Sequence, residues 1–191
     1  MHIVNSYLKK SSVTAGLLLF SLLKQVAFQP KFHPMANSKS TRELLLEQLE
    51  GRNAHISFAD VVDGLTVEIA GTRIDGLPHT IWDLIEHIRI AQADIIEFSK
   101  NPKYEAINWP DDYWPESHEP GNEEVLNKGI EKVEEGIDEM ANLVRDPNRE
   151  LQTPFDHGDG QTLFREAMLI VDHNAYHIGQ IVQLRRLLND W

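Results

Sequence analysis

Apolar residues in the second half of this chain recur every three or four positions, the spacing of a buried helix face. The clearest stripe predicts a helix over Glu123–Val144, and its members are Leu126, Ile130, Val133, Ile137, Met140 and Val144. Similar stripes predict helices from Thr80 to about Ser99 and from Leu163 to about Leu188. A threonine stands at the start of each of these two helices, Thr80 in one and Thr162 in the other, and threonine is a residue type that caps helix starts.

The earlier part of the chain predicts shorter elements. Ser40 and Glu43 have the spacing of a capping box, which predicts a helix over Ser40–Glu50. A second short helix is expected over Phe58–Asp63. The stretch Leu65–Ile74 alternates weakly between apolar and polar residues, which fits either an extended segment or a loop.

Four substantial helical segments without a convincing strand predict an all-α fold, a four-helix bundle. Two connections are long, the one before Thr80 and the one over Asn101–Asn122. They favour a crossover connection over a simple up-and-down bundle. The second connection holds Trp109, Tyr113 and Trp114 among four prolines. It is interpreted either as a loop that its aromatic side chains anchor over one end of the domain, or as a substrate lid.

The first 36 residues differ from the rest, so we divide the chain into an N-terminal extension, 1–36, and a bundle domain, 37–191. Two lysines precede an apolar run over Val13–Leu23, as in a secretory signal. The run is shorter than the roughly 20 apolar residues that a membrane span needs, and no small-residue cleavage site follows it. One interpretation is a spurious or dispensable extension, with translation starting at Met35; the other is a signal or anchor. We expect a cytoplasmic protein without stable membrane association, or an exported one if residues 1–34 act as a signal.

Composition narrows the chemistry further. The 191 residues include 30 acidic and 18 basic side chains, for a formal net charge of −12. This acidic surplus disfavours contact with phosphate backbones, so we do not expect a nucleic-acid partner. The chain has no cysteine, which excludes disulfides, thiolate metal ligands and a cysteine nucleophile. We expect a small-molecule substrate and a homodimer.

Two histidines in the last predicted helix, His173 and His177, are four residues apart and share one helix face. This spacing suits two ligands of one divalent metal, although buried packing and plain surface residues also fit it. His87 lies in the middle of the Thr80 helix. It is either a core histidine or a third ligand, since a bundle brings facing helices to about 8–10 Å. Three protein ligands would leave a position open, as in catalytic zinc sites. Because position 174 is asparagine rather than glutamate, a metalloprotease is disfavoured.

The segment His173–Gln180, together with His87 in a Trp-Asp-Leu-Ile-Glu-His setting, resembles the DinB/YfiT-like family of four-helix metalloproteins. The Trp109–Trp114 loop is also similar to that of bacterial members. The resemblance covers about Ser40 to Leu188. It implies a four-helix bundle with a crossover connection.

The resemblance also implies a metal site, in which His87, His173 and His177 bind a divalent ion, commonly zinc or nickel. Some relatives transfer or isomerise substrates with thiols such as bacillithiol, mycothiol or glutathione, and many have no established reaction. The implied function is a metal-dependent enzyme, a thiol S-transferase acting on small electrophiles. The alternatives are a non-catalytic metal-binding stress-response protein and a metal-dependent hydrolase in which bound water is the nucleophile.

Three further residues are candidates near this site. Asp83, one turn before His87, is interpreted either as the acceptor that orients the His87 ring or as a cap of its helix. His157 precedes the last helix, where it either faces the mouth of the site or belongs to an ordinary polar loop. Gln180 follows His177 by three residues, a spacing at which it would touch the site.

Overall fold

The computed structural model describes residues 39–51 and 54–191. The N-terminal extension predicted over residues 1–36 lies outside the described residues. Within them the chain forms helices but no strand. The α-helices are α1 Thr41–Leu49, α2 Phe58–Val62, α3 Val67–Gly71, α4 Ile81–Lys100, α5 Glu123–Arg145 and α6 Leu163–Leu187, with a 3-10 turn at Asp111–Tyr113. None of the described helices combines the length and the hydropathy that a membrane span requires. The prediction of an all-α fold is confirmed.

Helix starts follow the sequence closely. The side chains that accept a hydrogen bond from the first turn of each α-helix are Ser40, Ser57, Thr66, Thr80, Asn122 and Thr162. The bounds of α1, α4, α5 and α6 lie within one residue of those predicted. The two interpretations of Leu65–Ile74, an extended segment or a loop, are wrong for its centre. Thr66 caps a single helical turn there, α3, and that turn buries Ala70.

The packing of the helices explains the long first connection. Helix α4 packs against α5 and α6, and α1 packs against the same two helices. In the described part of the chain, α1 and α4 therefore occupy opposite corners of the bundle. The connection between them runs through α2, which packs on α5 and α6, and then α3, which packs on α4. This arrangement agrees with the predicted crossover connection.

The core consists of two apolar clusters stacked along the helices. One surrounds the first half of α4 and the second half of α6 and contains Ile85, Ile88 and Ile181. The other surrounds α1 and the opposite halves of α4 and α6, and it contains Ile96 and Ile170. Along α4 and α6, buried polar side chains lie between these two clusters. They are Gln92 on α4 and Asn174 and His177 on α6, while the buried His87 directly precedes Ile88 of the first cluster.

Candidate metal centre

His87 lies in the middle of α4 and is only 4% exposed. Its Nδ1 lies 2.8 Å from the backbone carbonyl oxygen of Tyr113, which belongs to the long connection between α4 and α5. Because a carbonyl can only accept, Nδ1 carries the proton and Nε2 keeps its lone pair. A neutral histidine held in this tautomer offers Nε2 to a metal ion.

The other two histidines reach the same point from α6. The Nε2 of His173 lies 3.1 Å from the Nε2 of His87. In a tetrahedral zinc site, with ligands about 2.0–2.1 Å from the ion, two nitrogens are about 3.3 Å apart. The Nδ1 of His177 donates to Oε1 of Gln180 at 2.6 Å, one turn further along α6. One ring nitrogen from each of the three histidines lies within 4.8 Å of the other two. The structure thus brings together all three predicted ligands, and the group has the composition and spacing to bind a metal ion.

Burial sets the protonation state of the three rings. Burial, together with the smaller effects of the neighbouring His177 and His87, lowers the pKa of His173 to about 4. Burial also lowers the pKa of His177 to about 4, against the opposing effect of its bond to Gln180. The pKa of His87 is lowered by burial as well, although its bond to Tyr113 opposes this. All three rings are therefore neutral near pH 7, which is the form that binds metal.

A stack of three rings closes one side of the cluster. Trp114 lies flat against His87, with ring centroids 4.0 Å apart and planes 5° from parallel. His79 covers the opposite face of Trp114 at 3.9 Å and 3°. The indole therefore separates His87 from the more exposed His79 and excludes water from that side of the ring.

The connection that carries Trp114 is tied down along α4. The hydroxyls of Tyr104 and Tyr113 both donate to the carboxylate of Asp94, at 2.7 and 2.6 Å. These contacts correspond to the anchored loop of the sequence analysis. The backbone carbonyl of Tyr113 in this loop also orients His87, a role that no pattern of side chains in the sequence indicates.

Two of the weaker candidates lie elsewhere. Asp83, 1% exposed, accepts from Nδ1 of His118 at 2.9 Å and from the backbone N–H of Thr80 at 2.9 Å. It therefore caps α4 and holds His118, while the Tyr113 carbonyl orients His87. His157 bonds the carbonyl of Phe98 at 2.8 Å. Phe98 follows His87 by 11 residues, about 16 Å along a helix, so His157 does not face the site.

Gln180, by contrast, contacts the cluster through His177 as its spacing suggested. Sequence reasoning missed His79 and His118, because neither has a helical partner at a regular spacing. The aromatic run around Trp114 was the one signal that pointed to the stack.

The family model of the DinB superfamily matches residues 52–181. The search of curated proteins and the search of solved structures each give no significant match.

Proposed function

The chain belongs to the DinB superfamily, and from that premise we propose that His87, His173 and His177 bind one divalent metal ion. We propose further that the protein is an enzyme that joins a small thiol to small electrophilic substrates. The observation that carries the proposal is the convergence of three ring nitrogens within 4.8 Å.

The donor set suits zinc or nickel, since both accept neutral imidazole. Tyr113 and Gln180 hold Nδ1–H of His87 and of His177, which leaves Nε2 of each ring free to bind. Three protein ligands leave a position for an exogenous molecule. When bound, the ion would act as a Lewis acid that lowers the pKa of a thiol in that position.

The absence of cysteine from the chain supports a thiol cosubstrate, because the protein has no thiol nucleophile of its own. In the proposed reaction the thiolate sulfur attacks an electrophilic carbon, a carbon–sulfur bond forms and the bond to the leaving group breaks. The leaving group departs with the bonding electron pair, and the thiol proton passes to solvent.

An apolar cavity of about 260 Å³ beside the histidine cluster offers room for the substrate. It shares His79 and Gln180 with the surroundings of the cluster, and its apolar walls include Leu77, Leu84 and Leu184. These walls favour an electrophile with an uncharged apolar group.

The test has two stages, on the full chain. Elemental analysis of purified protein measures the bound metal, and we expect about one zinc or nickel ion per chain. Loss of free glutathione is then followed with 1-chloro-2,4-dinitrobenzene, with and without a chelator. We expect thiol loss above the uncatalysed rate only when both protein and metal are present. Full metal occupancy without thiol loss above the uncatalysed rate, repeated with bacillithiol and mycothiol, would support the non-catalytic binding protein. Chelator-sensitive ester hydrolysis without a thiol would instead support the hydrolase.

A further inference from the structure

Two consecutive residues of the connection between α4 and α5 contact the histidine cluster. The backbone carbonyl of Tyr113 accepts from Nδ1 of His87 at 2.8 Å, and the ring of Trp114 lies flat on the His87 ring. We propose that Asp94 of α4 is a positioning residue, which fixes the orientation of the His87 ring by holding Tyr113 in place. The use of that ring as a metal ligand rests on the proposed function, whereas its orientation does not.

Asp94 and His87 lie on the same face of α4. They are seven residues apart, which is about two helical turns, or roughly 10 Å along the axis. Tyr113 lies alongside this face and bridges the two residues, since its carbonyl accepts from His87 and its hydroxyl donates to Oδ2 of Asp94 at 2.6 Å. Because one residue makes both contacts, a shift of its side chain away from Asp94 also moves its carbonyl away from His87.

The bond between Tyr113 and Asp94 joins a phenol to a carboxylate. Burial and this hydrogen bond raise the pKa of Tyr113 above its usual value, so the hydroxyl keeps its proton and donates it. Hydrogen bonds to a charged group are about twice as strong as those between neutral groups. The chain just before Tyr113 is mostly exposed, since every residue of 105–112 except Ile107 is on the surface. Few buried contacts hold that stretch, so the hydroxyl of Tyr113 should contribute strongly to fixing its backbone.

Tyr104 provides a matched comparison at the same carboxylate. Its hydroxyl donates to Oδ1 of Asp94 at 2.7 Å, and its ring packs edge-on against Phe98. The two tyrosine hydroxyls therefore bond the two oxygens of one carboxylate, but it is the backbone of Tyr113 that bonds His87. Removing either hydroxyl is the same chemical change, and the two changes differ in whether the altered residue also bonds His87.

The first test measures the Nδ1–H proton of His87 by NMR, in the full chain with ¹⁵N-labelled histidine at pH 7 after chelation of metal. Long-range proton–nitrogen spectra distinguish a ring nitrogen that carries a proton from one that does not, and His87→Gln assigns the signals. In the unaltered chain we expect His87 in the Nδ1–H form. Tyr113→Phe should speed the exchange of this proton with solvent by about tenfold or more, because loss of the charged hydrogen bond frees the carbonyl that accepts it.

The other variants show whether the effect passes from Asp94 through Tyr113. Asp94→Ala should speed the exchange as Tyr113→Phe does, and combining the two changes should add little, because both break the same path. Tyr104→Phe should leave the exchange within about twofold of the unaltered chain. Both tyrosine variants keep their rings, so they keep the test decisive if Asp94→Ala does not fold. Equal exchange rates in the two tyrosine variants would overturn the proposal.

The second test measures zinc affinity of the full chain by competition with a chromophoric chelator. We expect Tyr113→Phe to weaken zinc binding by about threefold or more, and Tyr104→Phe to leave it within about twofold of the unaltered chain. Equal zinc affinity in the unaltered chain and in Tyr113→Phe would contradict a role of Asp94 at the metal centre. If the unaltered chain binds no zinc or nickel, the proposed function fails, and the exchange of the His87 proton still decides whether Asp94 orients the ring.

Discussion

Two groups of buried polar side chains lie in this core, and they differ in how their polar atoms are paired. In the histidine cluster, Nδ1–H of His87 has the Tyr113 carbonyl and Nδ1–H of His177 has Gln180. In the second group, the buried amides Gln92 and Asn174, three atoms lack a partner among the described residues. They are both polar atoms of the Gln92 amide and Oδ1 of Asn174.

This difference has a physical meaning. Burying a polar group costs the fold little stability when the group finds a hydrogen-bond partner. An unpaired buried group costs its full desolvation free energy. In the cluster, outward bonds fix the rings so that their remaining nitrogens converge on one point. Such preorganisation is what a metal site needs. The buried amides have no comparable support among the described residues, so they reduce the stability of the fold.

The largest expected effect is the loss of bound metal when a histidine of the cluster is replaced. Replacing His173 or His177 with alanine should abolish stoichiometric metal binding. Only two histidine ligands would remain, and zinc sites in proteins use at least three protein ligands. His87→Ala should do nearly the same if His87 is a ligand. Elemental analysis and the metal-dependent rise in melting temperature measure the outcome. His157→Ala, which alters a histidine bonded to Phe98 away from the cluster, is the control. Full metal occupancy in His87→Ala would mean that His87 is a core histidine and not a metal ligand.

The next effect is a dependence of stability on pH in the metal-free chain. The pKa of His173 and of His177 is about 4 in the folded state, against about 6.5 in the unfolded chain. Between these values the unfolded state binds more protons, so the free energy of unfolding should fall as the pH drops from about 6.5 towards 4. Above about pH 7 these two rings should contribute no slope.

Denaturant unfolding at a series of pH values measures this slope. His177→Ala removes one of the two groups and should show a shallower decline than the unaltered chain over the same window. Identical slopes in the two proteins would contradict the assignment of a neutral, buried His177.

Gln180 provides the third test, since it supports a ring without facing the proposed ion. Gln180→Leu removes the acceptor of Nδ1–H of His177 at similar volume. We expect metal affinity to fall by about 10- to 100-fold, as for other residues that orient metal ligands. Competition with a chromophoric chelator measures the change. Gln183→Leu is the matched control, because Gln183 is an exposed glutamine that follows Gln180 by three residues on α6. Equal affinity in both variants would show that Gln180 does not orient His177.

The helices and one pair of the histidines could be predicted from the sequence alone. Periodicity and cap residues predicted α4, α5 and α6, because these signals are local to each helix. The spacing of His173 and His177 placed both rings on one face for the same reason. Joining His87 to them needed the bundle fold and the family resemblance, since no local signal relates α4 to α6.

What the sequence does not report depends on the path of the loops. The acceptor for His87 is the backbone of Tyr113, and a carbonyl has no residue-type signature. Asp83 pairs with His118 because the α4–α5 connection returns over the start of α4. Each of these features is set by tertiary contacts between distant segments.

The smallest effect concerns Gln92, which is 1% exposed and has neither polar atom of its amide paired within the described residues. The amide lies against Gly136 of α5, where an added Cβ would come within 2.4 Å of Oε1, so little space remains around it. Gln92→Met keeps nearly the same length and removes both polar atoms. Because the unpaired amide keeps its desolvation cost in the folded state, we expect the free energy of unfolding to rise by about 1–3 kcal/mol. Urea unfolding of the metal-free chain measures this, with the exposed Gln183→Met expected within about 0.5 kcal/mol of the unaltered protein. A clear loss of stability in Gln92→Met would mean that the amide is paired in solution, and the contrast with the histidine cluster would then rest on Asn174 alone.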